Sequence, residues 1–225
     1  MKKLSLLTAL LLLFNFYGCG ESDEEVQIKA SDKVKEITGI PEEASSDFNM
    51  VKKYPLKSGI IKFERKILGE TSKVVVYFDD YGTKERNESY NPEGNIEEIR
   101  FTDGEKMYVI SYKYSDESVA YIVGSGTMGT EMKFVPEPFV SDSDKEKYGY
   151  KKLPNIQVAG RDCEAYSTTS KMGTVIFAGN NNLLLYSKAD VSSGESELKA
   201  IEIKENVEVD PSLFKVPAGY EIKDM

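Results

Sequence analysis

The sequence predicts a mainly β fold of the α+β kind, in which one antiparallel sheet dominates and helices are few and short. Two observations carry this. From Tyr54-Pro55 onward, segments rich in Val, Ile, Tyr, Phe and Thr recur with almost no helical periodicity between them. Between these segments stand short clusters of Gly, Asn, Asp and Pro, the chemistry of tight hairpin turns, so that consecutive strands fold back on one another as a meander.

The chain opens differently. Lys2 and Lys3 precede an almost unbroken apolar run from Leu4 to Phe14, which ends near Gly18-Cys19. The run is too short for the roughly 20 residues of a membrane-spanning helix and reads as a secretion signal. Phe16-Tyr17-Gly18-Cys19 resembles the lipobox of bacterial lipoproteins, in which cleavage precedes the cysteine and its sulfur carries a diacylglycerol. The resemblance implies residues 1–18 as the signal and Cys19 as the lipid-attachment residue. Residues 19–50 would form the anchor and an acidic tether, and 51–225 the β domain. Two or three acyl chains hold firmly, since each buried methylene contributes about 0.8 kcal/mol. Phe16 and Tyr17 are bulkier than the usual lipobox residues, and an ordinary cleaved signal with an incidental cysteine is the alternative.

Glu21, Asp23, Glu24, Glu25, Glu42 and Glu43 make the tether acidic, and Asp32 to Thr38 predicts a short helix capped by Ser31. Ser22-Asp23-Glu24-Glu25 also resembles the acidic export signal of some surface lipoproteins. Gly20 does not match the Asp that retains lipoproteins at the inner membrane in some bacteria, which favours the outer membrane.

Charge and composition exclude several classes. The chain carries 29 basic and 38 acidic residues, a net charge of -9, which repels nucleic acid and anionic lipid surfaces, so membrane attachment must come from the anchor. There is no His and there are only two Cys, which leaves no histidine base and no zinc-type site, and no cofactor or metal is expected. Cys163, set among strand residues, reads as a small buried hydrophobe.

In the β domain the predicted strands run near Gly59 to Leu68, Lys73 to Asp79, Lys84 to Tyr90, Ile96 to Thr102, Lys106 to Tyr114 and Ser118 to Val123. Asp79-Asp80-Tyr81-Gly82, Pro92-Glu93-Gly94-Asn95 and Asp103-Gly104 supply the turns. A break at Pro136 and Pro138 leads to a short polar helix, capped by Ser141 and ending at Gly149. Strands resume near Gly160 to Thr168, Gly173 to Ala178, Leu183 to Ala189 and Glu197 to Glu205, before a turn at Asp210-Pro211 and a closing strand.

Val74 to Phe78 and Leu183 to Tyr186 are apolar at consecutive positions, so both faces of those strands must be covered. Tyr108, Ile110 and Tyr112 fall on one face of their strand, where tyrosines can line an apolar groove while their hydroxyls stay bonded. Tyr is also simply a good strand former.

Tyr148 to Leu153, Val158 to Tyr166 and Asn206 to Tyr220 resemble the closing half of the LolA/LolB-like superfamily of outer-membrane lipoprotein carriers, and with Lys57-Ser58-Gly59-Ile60-Ile61 and the Tyr77 to Gly82 turn the chain is more closely similar to an uncharacterised subfamily of secreted bacterial proteins. The resemblance implies a strongly curved antiparallel sheet forming an unclosed half-barrel with an apolar cavity that holds acyl chains. It implies a bacterial envelope location, periplasmic or surface-facing. The chain departs from the soluble carriers in lacking obvious lid helices and in having its own anchor.

Enzyme chemistry finds no foothold. Glu97 and Glu98 are neighbours on a strand and point apart, Asp79-Asp80 is hairpin chemistry, and Asp142 to Leu153 lacks the Gly and Glu of a calcium loop. Gly124-Ser125-Gly126 has no histidine to serve it. The expectation is a non-enzymatic carrier or receptor that binds an acyl chain or lipoprotein lipid, with Val74, Val76, Phe78, Tyr108, Ile110 and Tyr112 as ligand-binding residues. The alternative is a structural module that docks a protein partner.

Overall fold

The computed structural model describes residues 53–113, 118–125 and 140–225. Cys19, the signal, the predicted tether helix and the Pro136-Pro138 break lie outside them. The strands are β1 (Gly59–Ile67), β2 (Glu70–Asp79), β3 (Lys84–Tyr90), β4 (Ile96–Thr102), β5 (Lys106–Ser111) and β6 (Val119–Ser125). After helix α1 (Asp142–Lys147) come β7 (Lys151–Val158), β8 (Arg161–Ser170), β9 (Gly173–Asn180), β10 (Leu183–Val191), β11 (Gly194–Glu205) and β12 (Glu221–Asp224).

All 12 strands belong to one sheet, in the order β12-β6-β5-β4-β3-β2-β1-β11-β10-β9-β8-β7. Two meanders, β1 to β6 and β7 to β11, are joined where β1 pairs antiparallel with β11, from Gly59 opposite Glu205 to Ile67 opposite Ser196. β12 alone runs parallel to its neighbour, β6. The sheet is curved and stays open, with β12 and β7 at its two edges. Arg161 at the start of β8 pairs with Glu205 at the end of β11, three strands away in sheet order. Flat spacing near 4.8 Å per strand would put those two backbones about 14 Å apart.

Every predicted strand is present, and so are the predicted Ser141 cap and the Asp210-Pro211 turn, while the predicted Ser31 cap lies outside the described residues. Ser141 Oγ accepts from Asp144 N at the start of α1, and Asp210 Oδ1 accepts from Ser212 N at the 3-10 turn Pro211–Phe214, which drives Phe214 into the interior. β7 escaped the sequence reading because Pro154 interrupts it and Lys151-Lys152 open it. Both features suit an edge strand, where one side of the ladder needs no donor, and the register slips between Leu153 and Ile156 around the proline. Ala159 and Gly160, both at positive φ, make the two-residue turn into β8. β11 begins earlier than predicted, at Gly194, because it pairs with β10 down to Val191.

Three apolar clusters hold the sheet. The largest gathers Ile61, Phe63, Val76 and Phe78 with Cys163, Ala165, Ala178, Leu183, Leu185 and Ala200, and Tyr54 closes it from the chain preceding β1. A second gathers Ile99, Phe101, Tyr108, Ile110 and Ala120 under Val216 and Tyr220. A third packs Tyr166 and Leu184 with Tyr150 and Phe177. Leu183 and Leu184 therefore serve different clusters, and Val75 and Val76 are both buried, as the unbroken apolar runs require. α1 has no buried residue and is no lid.

Candidate functional site

Residues directly opposed on neighbouring strands share a face, so the register fixes which side chains can meet one ligand. One row runs Ile61, Val76, Asn87, Arg100, Val109, Tyr121 across β1 to β6. The next row along the strands runs Phe63, Val74, Ser89, Glu98, Ser111 on the same side. We call this face A. The alternate residues Ile99, Phe101, Tyr108 and Ile110 lie on the other side, face B.

The six predicted ligand residues are thereby divided. Val74, Val76 and Phe78 lie on face A, whereas Tyr108, Ile110 and Tyr112 lie on face B. No single cavity bounded by one face of the sheet touches all six. The sequence could assign each strand its own alternation but not the phase between strands, which the turn lengths and bulges set. Burial divides them again. Val76 and Phe78 are packed core, as are Tyr108 and Ile110, while Val74 is half-buried and Tyr112 is 40% exposed.

Face B is closed over its apolar part by the segment that follows the Pro211–Phe214 turn. Val216 and Tyr220 pack on the cluster, Arg86 Nη1 donates to the Leu213 carbonyl at 3.1 Å, and the Tyr112 and Tyr220 hydroxyls meet at 3.0 Å. Beside them a polar knot forms around Glu88, which accepts from Arg86 Nε at 2.8 Å and from the Tyr90 hydroxyl at 2.7 Å. Burial, the tyrosine-to-Glu88 hydrogen bonds and the Glu88 charge raise the pKa values of Tyr77 and Tyr90. The Tyr112 hydroxyl is pushed up to about 12, chiefly by burial and then by its bond to Tyr220. Lys73 Nζ sits 3.8 Å from the centre of the Tyr90 ring.

Face A changes character along its rows. At Ile61, Phe63, Val76 and Phe78 of β1 and β2 it is packed core; over β3 and β4 it becomes polar, with Asn87, Ser89, Glu98 and Arg100; at Val109, Met107 and Tyr121 it turns apolar again. These last seven residues are all half-buried. Arg100 Nε donates to Glu98 Oε1 at 2.7 Å. At one end of the face, Glu85 is fully buried and accepts from Lys53 Nζ at 2.7 Å and from the Tyr54 hydroxyl at 2.8 Å.

Sequence reasoning missed this polar machinery: Lys53, Glu85, Arg86 and Glu88. A signal was present. β3 reads Lys84-Glu85-Arg86-Asn87-Glu88-Ser89-Tyr90, yet it lies inside the meander between β2 and β4, so its charges are not those of a solvated edge strand and those that are buried must be paired. Among the described residues no group of three or more His, Cys, Asp or Glu could hold a metal ion, and no helix is long and apolar enough to cross a membrane.

The sequence matches no family model and no curated protein. Among solved structures the chain is similar to an uncharacterised conserved protein from Thermus thermophilus, with a TM-score of 0.53 at 11% identity, covering 82% of this chain and 100% of that one. This likeness is one of fold. Looser resemblances reach the MucA/MucB complex of Pseudomonas aeruginosa (TM-score 0.49, 13% identity, 74% of this chain and 58% of that one) and the lipoprotein LppX of Mycobacterium tuberculosis (0.35, 12%, 69% and 91%).

Proposed function

We propose that the chain is a LolA/LolB-like, lipid-anchored protein of the bacterial envelope, fixed through Cys19 at the outer membrane. It binds an apolar ligand, an acyl chain or lipoprotein lipid, on face A without covalent chemistry. The observation that carries the reading is the half-buried surface that extends face A beyond its packed core: Val74 at the margin, then Ser89 and Asn87, then the mutually paired Glu98 and Arg100, then Val109, Met107 and Tyr121. Fully packed side chains have no area left to exchange, whereas half-buried apolar ones gain about 25 cal/mol per Å² when a chain displaces water from them. Face B is less suited, because Val216 and Tyr220 already occupy its apolar ground.

The test is native mass spectrometry of the full chain carrying Cys19→Ala, so that its own anchor cannot fill the site, followed by extraction of bound lipid. Acyl lipid copurifying with the protein, and lost in Val74→Asp at unchanged thermal stability, is the expected result. A ligand-free mass that persists after incubation with fatty acid overturns the reading.

A second reading, a module that docks a protein partner, is favoured by one feature. Leu68 and Met172 are 59% and 45% exposed, at hairpin tips that both bond to the β10–β11 hairpin through Leu68 N to Glu195 O and Ser192 N to Met172 O. Crosslinking through photoreactive residues at those two tips would capture the partner under this reading.

A further inference from the structure

Arg65 is a half-buried cation of the sheet. It lies on face A, opposite Leu198 on one side and Ser72 on the other, with Ile67 and Phe63 two residues away on its own strand. Its Nε donates to Ser72 Oγ at 2.9 Å and its Nη2 to the Tyr90 carbonyl at 2.9 Å. Both acceptors are neutral, and among the described residues no carboxylate stands within ion-pair distance of this guanidinium. The nearby carboxylates Glu98 and Glu97 are engaged elsewhere, Glu98 with Arg100 at 2.7 Å and Glu97 with Lys113 at 3.9 Å.

The geometry of the fork gives this a direction. A guanidinium has five N–H donors in one plane. Ser72 and Tyr90 take the Nε donor and one donor of Nη2, which fixes the plane and leaves three N–H groups, both of those on Nη1 included, for another acceptor. A guanidinium offers such donors to a carboxylate through parallel hydrogen bonds. The surroundings are mixed: Leu198, Ile67 and Val74 are half-buried on the same face and Phe63 is packed there, with Ser72, Ser196 and the exposed Glu70 as the polar neighbours. Keeping a cation there without a counter-ion costs desolvation, and burial does lower the Arg65 pKa against the raising effect of Glu97 and Glu98.

We propose that Arg65 receives the anionic head of a single-chain amphiphile, a fatty-acid carboxylate, whose alkyl chain lies along Leu198, Ile67 and Val74. The inference rests on the acyl-binding reading of face A and narrows its ligand to a chain with a negative end. Binding supplies the counter-ion that the fold omits.

The test compares decanoate, decanol and acetate on the full chain carrying Cys19→Ala, by calorimetry. Decanoate is expected to bind about tenfold more tightly than decanol, a difference of about 1.4 kcal/mol, and acetate not measurably. Arg65→Gln should erase the preference for decanoate and leave decanol unchanged; Arg65→Lys, which keeps the charge and loses the fork, should retain only part of it. If Arg65→Gln does not fold, the decanoate preference of the unsubstituted protein decides through salt, since only a charge-based preference shrinks as ionic strength rises. Equal affinity for decanoate and decanol overturns the role of Arg65 and leaves the acyl reading standing. Binding of neither overturns both, and acetate binding as tightly as decanoate reduces the site to a small-anion contact and overturns the amphiphile.

Discussion

Lys53 Nζ lies 2.7 Å from Glu85 Oε2, with Glu85 wholly buried and Lys53 6% exposed, and the Tyr54 hydroxyl bonds to the same oxygen. The pair pins the residues that precede β1 onto β3. Removing one partner strands the other charge in the interior, so Glu85→Ala and Lys53→Ala should each cost about 3 to 5 kcal/mol, whereas replacing both with apolar residues should cost far less. Urea unfolding of the two single variants and the double variant measures this. Additive losses would show that the ion pair carries no coupling.

Ile110 and Val74 should respond differently to charge. Ile110 is 1% exposed in the cluster beneath Val216 and Tyr220, so Ile110→Asp should unfold the domain and Ile110→Ala should cost about 2 to 5 kcal/mol. Val74 is half-buried at the margin of its cluster, so Val74→Asp should keep the native circular dichroism spectrum. A folded Ile110→Asp protein would show that face B is open rather than packed.

Alkaline pH should loosen the closure of face B. Tyr112 binds its proton more tightly folded, at about 12, than the ordinary tyrosine value near 10. The stability this contributes is present below pH 10 and is lost as pH rises from about 10 to about 12, because the unfolded chain releases the proton first. Tyr77 and Tyr90 are raised in the same direction and add to the slope. Urea midpoints measured across that range should fall steeply in the native sequence and less steeply in Tyr112→Phe. An identical slope in Tyr112→Phe would remove the hydroxyl pair from the account.

Gly173 and Gly94 both hold positive φ, at 140° and 89°, but only one is crowded. A Cβ on Gly94 meets nothing within 4 Å, so Gly94→Ala should cost only the backbone term, about 1 kcal/mol. A Cβ on Gly173 would run into the Asp190 carbonyl oxygen across the β9–β10 ladder, so Gly173→Ala should cost at least twice as much. Thermal unfolding of the two variants compares them directly.

Cys163 is fully buried, with its thiol donating to the Arg161 carbonyl, and burial raises its pKa. Its reaction with a disulfide reagent should be slow in the native protein and immediate in denaturant.

Strand existence was legible because β-branched and aromatic runs bounded by turn residues have one reading. β3 and β4 were placed to the residue, from Lys84 to Tyr90 and from Ile96 to Thr102. The composition of the site was less legible. Val74 and Ile110 look alike in sequence, each an aliphatic residue in a run of strand formers. They end on opposite faces because Val76, Asn87, Arg100 and Val109 align across four strands, and Ile110 follows Val109. Arg65 gave no signal, because an arginine in an alternating strand reads as solvent-facing until its neighbours Ser72 and Tyr90 are known to turn it along the sheet.

The pairing of β1 with β11 also governs how the chain reaches this state. β1 ends at Ile67 and β11 begins at Gly194, so the strand made first among those described must wait for the one made next to last. Until then β1 can pair only with β2, and its other edge, with Ile61 and Phe63 beside it, is open to any strand that passes. Contacts so distant in sequence make folding slow, on the order of milliseconds to seconds. A chain emerging from a ribosome or a translocon therefore carries a sticky edge for most of its synthesis, and holding that edge apart is work for a chaperone.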